Sequence, residues 1–160
     1  MAEVWPSLLC ADFGSVHVKT YASRLTAPPA RPPRVLIVDD EPQVCMFVER
    51  VLRKAGYETT TVSDGPSAVE AARLQSFDIL VTDLMMPEMP GDEVAPRVRA
   101  FKRGLKVLYL TGFSDHLFKD RVRLFEGEAF LDKPCRAQGL LEAVSLLVFG
   151  HIDSPLRPPQ

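Results

Sequence analysis

The feature that most constrains this chain is a rhythm: short apolar runs alternate with stretches of helical spacing. The runs occupy residues 35–38, 57–62, 77–83, 106–110 and 128–131. Each has the length of a strand, and 57–62 is the one marked by β-branched residues rather than by a continuous apolar stretch. Between them the apolar residues recur at helical spacing. Val44, Phe47, Val48, Val51, Leu52 and Ala55 share one face of a helix that Pro42 opens and Gly56 stops. Asp64-Gly65-Pro66 turns into a helix through Val69 and Ala72, and Ser114 can cap another. A helix after Gly91 is expected to bury Val94, Val98 and Phe101, with Pro96 inside it bending it or delaying its regular start. A last helix is expected over residues 136–149. Strands alternating with helices of this length imply an α/β fold, a doubly wound five-stranded parallel sheet with helices on both faces.

This regular region spans residues 34–149, with a tail and a proline-rich linker over 1–33 and a second proline-rich tail over 150–160. The linker, Ala27-Pro28-Pro29-Ala30-Arg31-Pro32-Pro33, is stiff and cannot enter a helix or a central strand. Ahead of it, residues 15–21 alternate weakly, as a strand does, and Trp5, Leu8, Leu9 and Phe13 follow no clear period. The tail is expected either to dock or to hang loose, and Met1 need not be the true start. A net charge of −2 leaves no footprint for nucleic acid or an anionic membrane. No apolar run approaches the roughly 20 residues that cross a bilayer, and the N-terminus lacks the basic region and apolar core of a signal peptide. Cys10, Cys45 and Cys135 are odd in number and widely spaced, which disfavours a disulfide framework or a zinc site and points to a reducing cytoplasm.

The chemistry gathers at the strand ends. The first strand runs into Asp39-Asp40-Glu41, the third into Asp83, the fourth into Thr111-Gly112 and the fifth into Asp132-Lys133-Pro134. One strand-end Asp alone is most simply a solvated helix cap. In a parallel sheet, however, all these ends share one edge, so two acids, a third acid, a hydroxyl and an amine can converge. Three clustered carboxylates repel one another unless a cation or a proton lies between them. Oxygen ligands call for a hard ion, and Mg²⁺ suits one or two carboxylates with phosphate oxygens and water. An ammonium and a hydroxyl suit a transferring phosphoryl group, for which a carboxylate held in line can serve as nucleophile.

With these residues in view, residues 34–149 resemble the receiver domain of two-component response regulators. Val38-Asp39-Asp40-Glu41-Pro42 is similar to the family's acidic pair, and Asp83 with Met86, Pro87 and Gly91 matches its Asp-x-x-Met-Pro-x-x-x-Gly pattern. Thr111-Gly112 matches the switch hydroxyl and its small neighbour, Phe130 the aromatic switch position, and Lys133-Pro134 the Lys-Pro pair, where the family carries a cis peptide. The resemblance implies a flavodoxin-like receiver fold with Asp83 as phosphoacceptor and Lys133 and Thr111 assisting. It implies Mg²⁺ held by Asp40, Asp83 and the backbone carbonyl of Met85, with Asp39 helping through water. It further implies that phosphorylation draws Thr111 toward the phosphoryl group while Phe130 moves inward. Two features depart from the usual pattern. Phe130 lacks the hydroxyl of a tyrosine, and Cys135 stands where a bulky aromatic is common; its thiol reads as structural rather than redox-active.

The function so implied is to take a phosphoryl group from a histidine kinase or a histidine phosphotransfer protein and to signal by contact with a downstream protein, without being an enzyme in its own right. The residues after Phe149 suggest no output domain, so a stand-alone regulator is expected. A phosphate shuttle or sink, or the detached receiver of a hybrid sensor kinase, are the neighbouring readings; residues 110–113 resemble hybrid-kinase receivers. An aspartate-nucleophile phosphatase would carry a second acid two residues after the nucleophile, where this chain has Met85. A structural pseudo-receiver would lack an acid or the lysine. The last helix, with Leu140, Leu141, Val144, Leu147 and Val148 for the core and Leu146 and Phe149 beyond them, is more apolar than one face needs. With Leu117, Phe118, Val122, Leu124 and Phe125 of the preceding helix it suggests a face for a homodimer or a partner, unless the N-terminal tail covers it.

Overall fold

The computed structural model describes residues 16–18, 30–112 and 125–150. Its elements run β1 (Val16–Val18), β2 (Arg34–Val38), α1 (Pro42–Lys54), β3 (Glu58–Val62), α2 (Gly65–Leu74), β4 (Ile79–Asp83), α3 (Gly91–Arg99), β5 (Lys106–Thr111), β6 (Glu128–Asp132) and α4 (Ala137–Phe149). The expected helix after Ser114 and most of both tails lie outside the described residues.

The sheet order is β1-β6-β5-β4-β2-β3. From β3 to β6 all neighbours are parallel, which is the five-stranded parallel sheet that the alternation implies. The weak alternation near residue 16 becomes a sixth strand, β1, which pairs antiparallel with β6 and matches Val16 to Leu131 and Val18 to Ala129. Strand alternation divides the core into two layers. Val35, Ile37, Ile79, Val81, Leu108 and Leu110 pack with Val48 and Leu52 of α1 and with Leu140, Val144 and Leu147 of α4. On the opposite face, Leu36, Val38, Leu80, Val107 and Tyr109 meet Ala68 and Ala72 of α2 and Val94 and Val98 of α3. Helices therefore cover both faces, and among the described residues no buried side-chain nitrogen or oxygen lacks a partner.

Local chemistry accounts for most boundaries. Pro42 stands in the first turn of α1, where its missing N–H costs nothing, and Arg53 and Lys54 favour the negative end of the helix. Asp64 caps α2 by accepting from the Ser67 amide at 2.7 Å. At the edge away from the acidic strand ends, Asp78 accepts from the Arg34 amide at 2.8 Å and pairs with Arg31 and Lys102, which ties the start of β2 to β4.

One local alternative falls and one expectation is corrected. Of the two effects expected of Pro96, the delayed start is absent: α3 begins at Gly91, whose amide bonds Leu84 O at 2.9 Å, with Pro96 inside the helix. Phe101, expected on the buried face, is 50% exposed, because α3 ends at Arg99 and the chain turns before Phe101 reaches the stripe of Val94 and Val98. Ser145 of the last helix is buried near Tyr57, whose hydroxyl lies 3.5 Å from its own. Among the described residues no helix is long and apolar enough to cross a membrane.

Candidate functional site

Strand register assembles the site. Val38 pairs with Thr82, so Asp39 and Asp83 follow side by side on adjacent strands, at the point where the chain winds outward in both directions from β2. Asp83 pairs with Leu110, which sets Thr111 one residue further on. Thr111 pairs with Asp132, and Lys133 is the next residue. Residues separated by almost a hundred positions thus reach one edge because neighbouring strands stop at nearly the same height.

Lys133 is the electrostatic hub. Its Nζ lies 2.7 Å from Asp39 Oδ2, 3.6 Å from Asp83 Oδ1 and 3.5 Å from Glu41 Oε1. Burial opposes an ammonium here, but the hydrogen bond to Asp39 and the surrounding acids more than offset it and hold the lysine above its ordinary pKa. The Lys133–Pro134 peptide is cis. Asp39 is fully buried; its Oδ1 accepts from the Glu41 amide at 2.8 Å, and the Cys45 thiol donates to its backbone carbonyl at 3.3 Å. Asp40 is exposed beside it.

Asp83 is buried, and its Oδ1 accepts from the Met85 amide at 3.3 Å. Burial pushes its carboxyl up to about 6; Lys133 pulls the other way, while Asp39 and Asp40 add to the rise. Burial raises Asp39 as well, against the pull of Lys133. Carboxylate oxygens of Asp39, Asp40 and Asp83 all lie within 4.8 Å of one another, with a single ammonium among them. This excess of hard oxygen donors fits a divalent cation such as Mg²⁺.

The loop after Asp83 explains its own sequence. A Cβ on Gly91 would stand 2.3 Å from the Asp83 carbonyl oxygen, so no larger residue lets α3 start this close to the strand end. Glu88 takes φ 66°, a left-handed conformation that costs a non-glycine residue roughly 1–2 kcal/mol. Burial pushes the Cys45 thiol up to about 11 and raises Cys135 too, so neither is a thiolate at neutral pH. Cys135 packs against the core beside α1 and α4, in line with a structural role.

Thr111 and Phe130 are both buried next to the site. The Thr111 hydroxyl is buried and donates to Asp132 Oδ1 at 2.9 Å. Phe130 is buried, its ring centroid 5.3 Å from that of Tyr109. Two residues escaped the sequence reading as site neighbours. Glu41 reaches the ammonium of Lys133, and Asp132 takes the Thr111 hydroxyl. The signal for Asp132 was available, since the last residues of two adjacent parallel strands stand level.

An acidic pair, a lone Asp and a lysine at the switch point of a doubly wound sheet define the class: an α/β protein built to handle a phosphoryl group. The chain belongs to the response regulator receiver domain family, whose model matches residues 35–145. It is 40% identical over 106 residues to the probable transcriptional regulatory protein TcrX of Mycobacterium tuberculosis, covering 65% of this chain and 44% of that protein. It is 38% identical over 81 residues to the response regulator receiver protein CpdR of Brucella abortus, covering 51% of this chain and 68% of that one. This chain therefore matches less than half the length of TcrX. The crystal structure of the receiver domain from the hybrid histidine kinase CckA superposes with a TM-score of 0.61 at 27% identity, covering 72% of this chain and 98% of that one.

Proposed function

We propose that Asp83 is the phosphoacceptor, taking a phosphoryl group from a phosphohistidine of a kinase or phosphotransfer protein. The observation that carries this reading is the buried Asp83 carboxyl facing the Lys133 ammonium at 3.6 Å, with two further acids alongside. In the transfer an Asp83 oxygen bonds to phosphorus as the P–N bond breaks, and the imidazole keeps the electron pair. An acid whose pKa lies near 6 is largely ionised at neutral pH yet remains a better nucleophile than an ordinary carboxylate. Lys133, held by Asp39, stands ready to balance charge on the phosphoryl oxygens. Asp40, Asp83 and the Met85 carbonyl would hold Mg²⁺, with Asp39 behind them, and the ion would neutralise the incoming phosphate.

A groove of about 470 Å³ lies beside Asp39 between α1, the end of β3 and α2, with Met46 exposed at its rim, and offers a partner a surface next to the acceptor. The output is contact with a downstream protein in the cytoplasm, and the chain performs no catalysis beyond its own phosphorylation and dephosphorylation. A homodimer through the last two helices, α4 and the one expected after Ser114, belongs to the same reading. The likeness to the CckA receiver favours one further reading, a receiver that serves in a relay of the hybrid-kinase type. Incubation with acetyl phosphate and Mg²⁺ should add the mass of one phosphoryl group; Asp83→Asn should abolish the gain and Asp40→Ala or excess chelator should strongly reduce it. Labelling of the Asn variant, or full labelling in chelator, would sink the respective assignments.

A further inference from the structure

Thr111 and Asp132 end adjacent parallel strands and are paired in register. Tyr109 and Phe130, two residues earlier on the same strands, lie in the core layer that faces α2 and α3, so alternation puts Thr111 and Asp132 on that side. The Thr111 hydroxyl is fully buried and has one proton, which goes to Asp132 Oδ1 at 2.9 Å. A hydrogen bond to a carboxylate is roughly twice as strong as one between neutral groups. The two strand ends are further fixed by the Lys133 amide, which donates to the Thr111 carbonyl at 2.7 Å. Backbone separation is thereby opposed, and the hydroxyl can leave Asp132 most easily by rotation about the Thr111 Cα–Cβ bond into another staggered well.

We propose that Asp132 is a positioning residue that holds the Thr111 hydroxyl away from Asp83 and so sets how readily this receiver passes into its phosphorylated conformation. The inference rests on Asp83 being the phosphoacceptor. To donate to a phosphoryl oxygen the hydroxyl must first give up a charged acceptor, and Asp132 thereby favours the unphosphorylated arrangement. Removing the acceptor frees the proton and lowers the threshold.

The test uses beryllofluoride with Mg²⁺ as the phosphoryl probe on the full chain, with bound fluoride read by fluorine NMR and folding checked by thermal melting. Asp132→Ala should bind the probe about fivefold tighter or more, the scale of losing one charge-assisted hydrogen bond. Asp132→Asn removes the charge but keeps an acceptor oxygen, and it should gain markedly less. In a Thr111→Val background the Ala substitution should change nothing. Equal gains in Asn and Ala, or a gain that survives in the Val background, would mean that Asp132 acts only through its charge and overturn the proposal. No gain in Asp132→Ala would overturn it as well. The wild-type chain supplies a measurement free of variants: the Thr111 χ1 rotamer, read from its side-chain couplings, should change when the probe saturates. An unchanged rotamer would refute the device even if Asp132→Ala failed to fold. A wild-type chain that bound no probe at all would instead overturn the phosphoacceptor reading.

Discussion

Asp83 shows how one residue can be a liability for folding and an asset for chemistry. Its folded pKa of about 6 stands above the ordinary 3.8, so between these values the folded chain binds more protons than the unfolded one. Stability from this residue therefore falls as pH rises through that window, and the full cost is present above it. The shift corresponds to on the order of 2–3 kcal/mol. Asp83→Asn has no charge to desolvate and should be more stable than the wild type by about that amount at pH 7.5 in chelator. The advantage should shrink to nothing below about pH 4, and urea melts from pH 4 to 8 follow it directly. A constant difference across that range would mean that the carboxylate is not strained by its burial.

At the scale of elements, one long-range ion pair adds to the buried Val94 and Val98 in holding α3. Arg99, in its last turn, donates to Glu128 Oε1 at 2.6 Å, and Glu128 is buried at the start of β6, where its other oxygen accepts from the Phe125 amide at 3.1 Å. The pair fastens the end of α3 to the start of β6. Arg99→Met should leave the Glu128 carboxylate without its cation and cost about 3–5 kcal/mol. Adding Glu128→Gln to that variant should recover a large part of the loss, because the buried charge goes with its partner. Chemical melts of the two variants and the double variant give the coupling; simple additivity would show that the pair does not act as a unit.

At the scale of the whole molecule, the unexpected part is β1. It covers the free edge of β6, lies against α4, and so stands beside the face suggested for a homodimer. A sheet edge with unpaired backbone groups invites another chain, and a strand of the same chain removes the invitation. The boundary at residue 34 remains a proposal, and Arg31, just before it, already reaches Asp78. A variant lacking residues 1–29 keeps that contact and loses β1. It should melt lower and self-associate more strongly, as seen by thermal scans and sedimentation. If its association state and its melting temperature both match those of the full chain, β1 contributes nothing to the sheet.

Much of this protein was legible in the sequence because its signals are local. Apolar runs of strand length, a proline opening α1, an aspartate capping α2 and a glycine at the start of α3 each act within a few residues, so the alternation of elements and the meeting of Asp39, Asp83 and Lys133 at one sheet edge could be read in advance. A short tail strand with only a few alternating residues carries too little periodicity to reveal its partner, so the pairing of β1 with β6 was decided only by tertiary contact. The exposure of Phe101 follows from where α3 stops, which helical spacing does not specify. The state of the site was hidden for the same reason. That burial raises the Asp83 carboxyl to about 6, that Phe130 packs against Tyr109, and that the Thr111 hydroxyl donates to Asp132 all depend on burial and on distances across strands. Residue types name the possible partners of a hydroxyl or a carboxylate; only the folded arrangement chooses among them.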